Sequence, residues 1–351
     1  MRKTIYKFSV FFILLLCIFF FSKNFELIQY GIMQGKGQLN LLMHTEPVED
    51  ILQDPLFPDS LKKKLILISE IKKFAIDSLG MHPTKNYTTI YNQHSKPLMW
   101  VVTASKPFAI QPYEWTFPFL GKLSYKGFFI KEKAESEAEK LRKLGYDIDI
   151  GTASGWSTLG LFKDPILSEM LRKKEGSLAN LIIHELTHGS VFISDSVNYN
   201  ENLANFIGHQ GAIRFLSHKY GSQSLIYLKY MEYHKDAAVF SKYTLTYAKK
   251  LDSMYQGFIK KTNLETKFNA KYKLLYAYIK GIDTLSIHHK TIYKNIAQNA
   301  LRSKNAYFIS FLQYDSKADN FQKEFELKFH SDLKRYVIYL KQKFPENHFG
   351  L

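Results

Sequence analysis

His184-Glu185-Leu186-Thr187-His188 stands inside the apolar run Leu181–Phe192. An α-helix turns once in about 3.6 residues, so His184 and His188 stack on one face and present two imidazoles to a single cation. Glu185 lies about 100° around the same helix, placed to act as a base on a water at that cation without ligating it. In a chain with 12 histidines the pattern could be an accident, and two capped or core histidines are the plain alternative. The setting argues against that. Leu181, Ile182, Ile183, Leu186 and Val191 make the helix largely buried, and a divalent cation satisfies two histidines and a glutamate placed there. The corresponding chemistry is metal-assisted hydrolysis, with Glu185 taking the proton of water and passing it to the leaving amine. Thr187, inside the motif, reads as a local hydrogen bonder or packing residue.

Such a site needs a third protein ligand. Metzincin spacing is absent, because Val191 and Ser194 stand where a glycine and a histidine would be required. Glu201 opens the next helical stretch, with Asn205 and His209 one and two turns further along roughly the same face. Asp195, in the intervening loop, is the alternative ligand, with capping or a turn as its ordinary role. His209 reads as a satisfied histidine, with a cleft residue or a partner to a ligand as alternatives. Two histidines and one carboxylate favour one Zn2+ ion and leave a coordination position for water. A donor for the developing oxyanion is not legible, since Tyr227, Tyr230, Tyr233, His234, Tyr243 and Tyr247 all follow Glu201 in stripes that resemble core.

The periodicities place these residues in an α+β fold, with a small mixed or antiparallel sheet followed by a long helical half. Helices are expected over 26–45, 59–80 and 131–144, and strands over 87–91, 98–103, 123–129 and 146–150. Beyond Pro165 helices are expected over 165–174, 178–193, 199–219, 222–260 and 265–280, with two or three more to 345. The division is therefore 1–22 as a membrane helix, 23–160 as an α+β part with a substrate-side sheet, and 161–351 as the helical part with the metal motif. Between strand and motif runs a small-residue loop, in which Ser157, Thr158 and Gly160 are candidates for pairing with a peptide backbone. The alternative there is a tight turn with Trp156 in the core.

The 351 residues carry 48 Lys+Arg against 32 Asp+Glu, a balance of +16, but the lysines are scattered and no Arg-rich or Gly-rich tract gathers them. A solvated basic surface is expected, and no nucleic acid partner. A single cysteine, Cys17, excludes an intramolecular disulfide and a Cys-based zinc module. Arg2, Lys3 and Lys7 lead into the apolar run Phe8–Phe21, which ends without small residues for cleavage. This reads as an uncleaved signal anchor, with the rest of the chain facing outward from the cell membrane. Cys17 lacks the small neighbours that lipid attachment needs.

With these residues in hand, the chain resembles a bacterial family of zinc aminopeptidases, which are often exported or lipid-anchored. The blocks that carry the likeness run in order: Gln34-Gly-Lys-Gly-Gln38-Leu, Trp100-Val-Val, Trp115-Thr-Phe-Pro118, Gly121 to Phe129, Ser157 to Leu167, the His184–His188 motif and Asn200-Glu201-Asn-Leu-Ala204. The resemblance implies a gluzincin-type, zincin-like catalytic half, His184, His188 and Glu201 as zinc ligands, Glu185 as catalytic base, and a peptide substrate. The Gly-x-Met-Glu-Asn sequence by which many zinc aminopeptidases hold a free amino terminus is absent. The exopeptidase expectation therefore comes from the family alone. An endopeptidase or other zinc hydrolase is the first alternative. A membrane-tethered binding protein with a structural metal is the second.

Overall fold

The structure, a computed structural model, describes residues 24–117, 121–153, 163–193, 196–315 and 317–344. The expected anchor, residues 1–22, lies outside them, as do Ser157, Thr158, Gly160 and Asp195. Among the described residues no helix is long and apolar enough to cross a membrane. The chain divides into two units, residues 1–45 and 46–351. The first contributes one described helix, α1 (Phe25–Met43), where the spacing predicts 26–45. It exposes Phe25, Ile32, Leu39 and Met43, which share one face.

The second unit is α+β and mostly helical. Helices α2 (Val48–Gln53) and α3 (Asp59–Asp77) lead in, the latter burying Leu65, Ile68, Ile71 and Ala75 along one stripe. Short strands follow: β1 (Thr89–Tyr91), β2 (Trp100–Ser105), β3 (Trp115–Phe117), β4 (Gly121–Leu123) and β5 (Tyr125–Phe128). After α4 (Lys131–Lys143) come β6 (Asp147–Thr152) and β7 (Ile166–Leu167). β2 is central in an antiparallel sheet, with Trp100 opposite Phe128 of β5 and Thr152 of β6, and its Val102 and Ala104 are wholly buried. β3 and β4 form a separate two-stranded ribbon. β1 and β7 run parallel, pairing Ile90 with Ile166 and Tyr91 with Leu167.

That last pairing corrects the helix expected over 165–174. Ile166 and Leu167 are both buried against β1, and the chain then makes only a 3₁₀ turn, Ser168–Arg172. Tertiary pairing decides the conformation of so short an apolar segment.

The helical half consists of α5 (Glu175–His188), α6 (Val197–Tyr220), α7 (Leu225–Gln256), α8 (Leu264–Gly281), α9 (Lys290–Ser303), α10 (Asn305–Asp315), α11 (Ala318–Phe329) and α12 (Leu333–Lys343). Four helices thus follow α8 where two or three were expected. Two of the breaks, at Lys304 and at His330-Ser331, lie at positive φ, and none of these residues is glycine. α6 is the hub. It buries Leu203, Ile207, Ala212, Phe215 and Leu216 and packs against α3, α5, α7, α10, α11 and α12.

Sheet and helices are joined by a buried polar knot. Lys271 of α8, with no exposed surface, donates to Asp147 of β6 and to the Pro107 carbonyl, and the Asn305 amide also donates to Asp147. A second buried carboxylate, Asp236 of α7, receives the backbone N–H groups of His288 and His289 at 2.9–3.0 Å and contacts both imidazoles just before α9 begins. Burial alone would raise the pKa of Asp236, but these donors outweigh it and hold the carboxyl at about 2. Its contribution to stability is therefore complete above the ordinary carboxyl pKa of 3.8 and is lost as pH falls toward 2. Asp236→Asn is expected to lower the thermal midpoint by several degrees at pH 7, with the gap to wild type closing between pH 4 and 2 in melts followed by circular dichroism.

Candidate metal centre

α5 begins at Glu175, which Lys64 of α3 holds at 2.7 Å while also donating to the Lys173 carbonyl at 2.9 Å. Its inner face, Leu178, Ala179, Ile182, Ile183 and Leu186, is buried. Helix spacing then leaves His184 and Glu185 on the more accessible side and His188 at the last turn. The helix stops at Gly189, earlier than the expected 193. Thr187 donates to the Ile183 carbonyl, the local role expected of it, and Ser190 links the helix end back to the His82 amide.

α6 crosses α5 at very short range. A Cβ at Gly208 would lie 2.5 Å from Asn180 Oδ1, 2.9 Å from the Asn180 carbonyl and 3.1 Å from His184 Cβ. A Cβ at Gly211 would lie 2.8 Å from Ile183 Cγ2. Only glycine allows these helices to approach so closely. The first turn of α6 is anchored separately. Asn200 clamps the Ile193 backbone through both N–H and C=O, at 3.0 and 2.8 Å, and Asn202 bonds to the Asn198 carbonyl and the Lys317 amide. Glu201 stands between those two asparagines.

The result is convergence. His184 Nε2 and His188 Nε2 are 3.2 Å apart, and Glu201 Oε2 is 3.5 Å from the first and 3.7 Å from the second. The two rings are nearly perpendicular, at 84°. Ligand atoms at the tetrahedral corners around a zinc ion, each about 2.0–2.1 Å from it, stand about 3.3 Å from one another. The observed spacings fit that donor set. Among the described residues this is the group of histidine and acidic side chains whose ligand atoms meet, all within 4.8 Å.

The electrostatics suit a cation as well. Burial disfavours a charge on Glu201, but hydrogen bonds and charge from the two histidines outweigh it and hold the carboxyl at about 2. Burial also opposes charge on His188, yet the bond to Glu201 and the negative charges of Glu201 and Glu185 lift its pKa above the ordinary value. Glu201 is thus held as a carboxylate beside the two imidazoles.

His209, two turns along α6, is not part of this group. Its Nδ1 lies 3.0 Å from the Tyr230 hydroxyl, and its ring stacks on His234. Burial first, then the neighbouring His234 and Arg214, push His209 down to about 2, and burial holds His234 at about 4. Both rings are neutral near pH 7. Asn200 and Asn202 mattered more than the sequence suggested. Their signal was the Asn-Glu-Asn triplet itself, two short polar side chains flanking an acid on a buried helix.

A model of the family described as "Putative aminopeptidase" matches residues 29–344. No curated protein and no solved structure matches the chain significantly. If the three side chains hold a divalent cation, Gly208→Ala, which forces α6 away from Asn180 and His184, is expected to weaken its binding on the order of 10–100-fold while helix content is retained. Equilibrium dialysis with zinc alongside far-ultraviolet circular dichroism checks both halves of that expectation.

Proposed function

The chain belongs to the "Putative aminopeptidase" family, and from that premise we propose that it is a zinc-dependent peptidase of gluzincin type whose site is built from His184, His188, Glu201 and Glu185. The observation that carries the proposal is the meeting within 4.8 Å of two imidazole nitrogens from α5, which also bears Glu185, and one carboxylate oxygen from α6. In this reading His184, His188 and Glu201 hold the ion. When bound, the cation supplies Lewis acidity, polarising a carbonyl and making water easier to deprotonate. Glu185 takes a proton from the attacking water and returns it to the amine nitrogen as the C–N bond breaks. Three protein ligands leave room for solvent, which separates a catalytic arrangement from a closed structural one.

The substrate class follows from the family, and peptides with a free amino terminus are the natural first choice. The proposal extends to placement. The apolar run Phe8–Phe21 anchors the protein in the cell membrane, and the helical part, a zincin-like catalytic half, faces outward.

Glu185→Gln is expected to bind one zinc ion as wild type does while kcat falls on the order of 10²–10⁴-fold. Metal analysis and peptide turnover on the same preparation test this, and an unimpaired variant would remove the hydrolase reading. Comparing free with acetylated peptides then separates exopeptidase from endopeptidase. An aminopeptidase leaves the acetylated ones intact.

A further inference from the structure

Exposed apolar side chains are ordinary when scattered and informative when one element gathers them. The hairpin of α7 and α8 gathers them. Its connection projects Ile259 at 68% exposure, and α8 opens on Leu264 at 64%. Further along α8, Phe268 at 37% and Tyr276 at 61% continue the row, with Tyr272 half-buried between them. Leu264, Phe268, Tyr272 and Tyr276 recur at intervals of four, so they form one inclined stripe on the helix.

The tip is a built turn. The Thr262 amide donates to the Ile259 carbonyl at 3.0 Å, and Asn263 caps α8 by accepting from the Thr266 amide at 2.8 Å. Phe258 and Phe268 meet the Phe108 ring edge to face, at 6.2 and 5.0 Å, and the Lys267 ammonium lies 5.7 Å from the centre of that ring. Large apolar groups are thus held out in solvent on a packed base, although burial of such groups is favourable.

Charge there is one-sided. Between Asp252 and Asp283 the chain carries six lysines and one acid, Glu265. The flanking aspartates are engaged elsewhere. Asp252 accepts from the Ile110 amide and from Gln256, and Asp283 pairs with Lys294 at 2.7 Å. Lys271 is buried against Asp147, but Lys260, Lys261, Lys273 and Lys280 are exposed and make no ion pair among the described residues. Apolar groups at a tip, tyrosine along the side and unpaired lysines around them suit a lipid surface. The apolar groups enter the boundary of the acyl chains, and the ammonium groups meet anionic headgroups.

We propose that the α7–α8 tip is a second membrane contact, in which Ile259 and Leu264 enter the headgroup region of an anionic leaflet while Lys260 and Lys261 meet its phosphates. The proposal deepens the placement given above and rests on it only for the choice of a bilayer over an acidic protein partner.

A probe at the tip tests this. Ile259→Cys, in the full-length chain carrying Cys17→Ser, is labelled with an environment-sensitive fluorophore. The protein is reconstituted into vesicles of phosphatidylcholine alone or of an equal mixture with phosphatidylglycerol. The expected result in the mixture is blue-shifted emission that spin-labelled lipid quenches. Both effects should be lost in phosphatidylcholine alone, in high salt, and in the Lys260→Glu/Lys261→Glu variant, whose helix content circular dichroism checks. Emission that stays at its solvent value in the anionic vesicles would overturn the proposal and assign the tip to a protein partner. Quenching indifferent to lipid charge, salt and both lysines would overturn it as well. Alkaline extraction of the same vesicles reports on Phe8–Phe21 separately. Protein that resists alkali with an unquenched probe keeps the anchor and loses the tip contact. Protein released by alkali after salt-sensitive quenching keeps the tip contact and loses the anchor.

Discussion

The near-contact of α5 and α6 is the constraint on which the site depends. Two histidines on one helix cannot make a three-ligand centre, and the carboxylate must come from a helix that approaches within bonding range of both rings. Gly208 and Gly211 make that approach possible. Each costs about 1 kcal/mol of helix propensity relative to alanine in an isolated helix. Here that cost is offset by burial of Ile183, Ile207 and Ala212 in the crossing and by the position it gives Glu201. Asn200 and Asn202 then fix the end of α6, so the carboxylate is held by backbone bonds on both sides and not by its own side-chain preferences.

Much of this was legible in the sequence, for reasons that differ by residue. His184 and His188 could be read because i and i+4 on a helix always share a face, whatever the fold does elsewhere. Glu201 could be read because it is close in sequence and few other carboxylates are near. α3, α4 and α6 to α8 appear within a few residues of their expected bounds because long amphipathic or apolar segments leave little choice of conformation. The anchor and the Ser157–Gly160 loop remain readings of the sequence.

What could not be read is equally specific. Gly208 and Gly211 look like weak points in a helix until the partner helix is known. Lys271 looks like a solvated lysine in a helical stripe, yet it lies wholly buried against Asp147, which is 124 positions away in the chain. Lys304, His330 and Ser331 take positive φ at helix ends without being the glycine that usually marks such a stop, and local backbone bonds from them to Ala300, Glu326 and Phe325 close those helices. Tyr87 is one of 23 tyrosines, and nothing in composition or period separates it from the rest. Its distinction is a buried hydroxyl with no hydrogen-bond partner among the described residues, which only three-dimensional neighbours reveal. Gln38 of α1 is the other residue with buried side-chain atoms lacking partners among those described, and it lies in the Gln-Gly block that contributed to the family likeness.

The account as a whole stands on one cation shared by α5 and α6. X-ray absorption at the zinc edge of the reconstituted, full-length protein measures that directly. One ion per chain, coordinated by two imidazoles and two further light atoms at about 2.0–2.2 Å, one of them lost or replaced when Glu201 is changed to alanine, is the predicted result. Sub-stoichiometric zinc, or a coordination shell that does not respond to loss of Glu201, would contradict it.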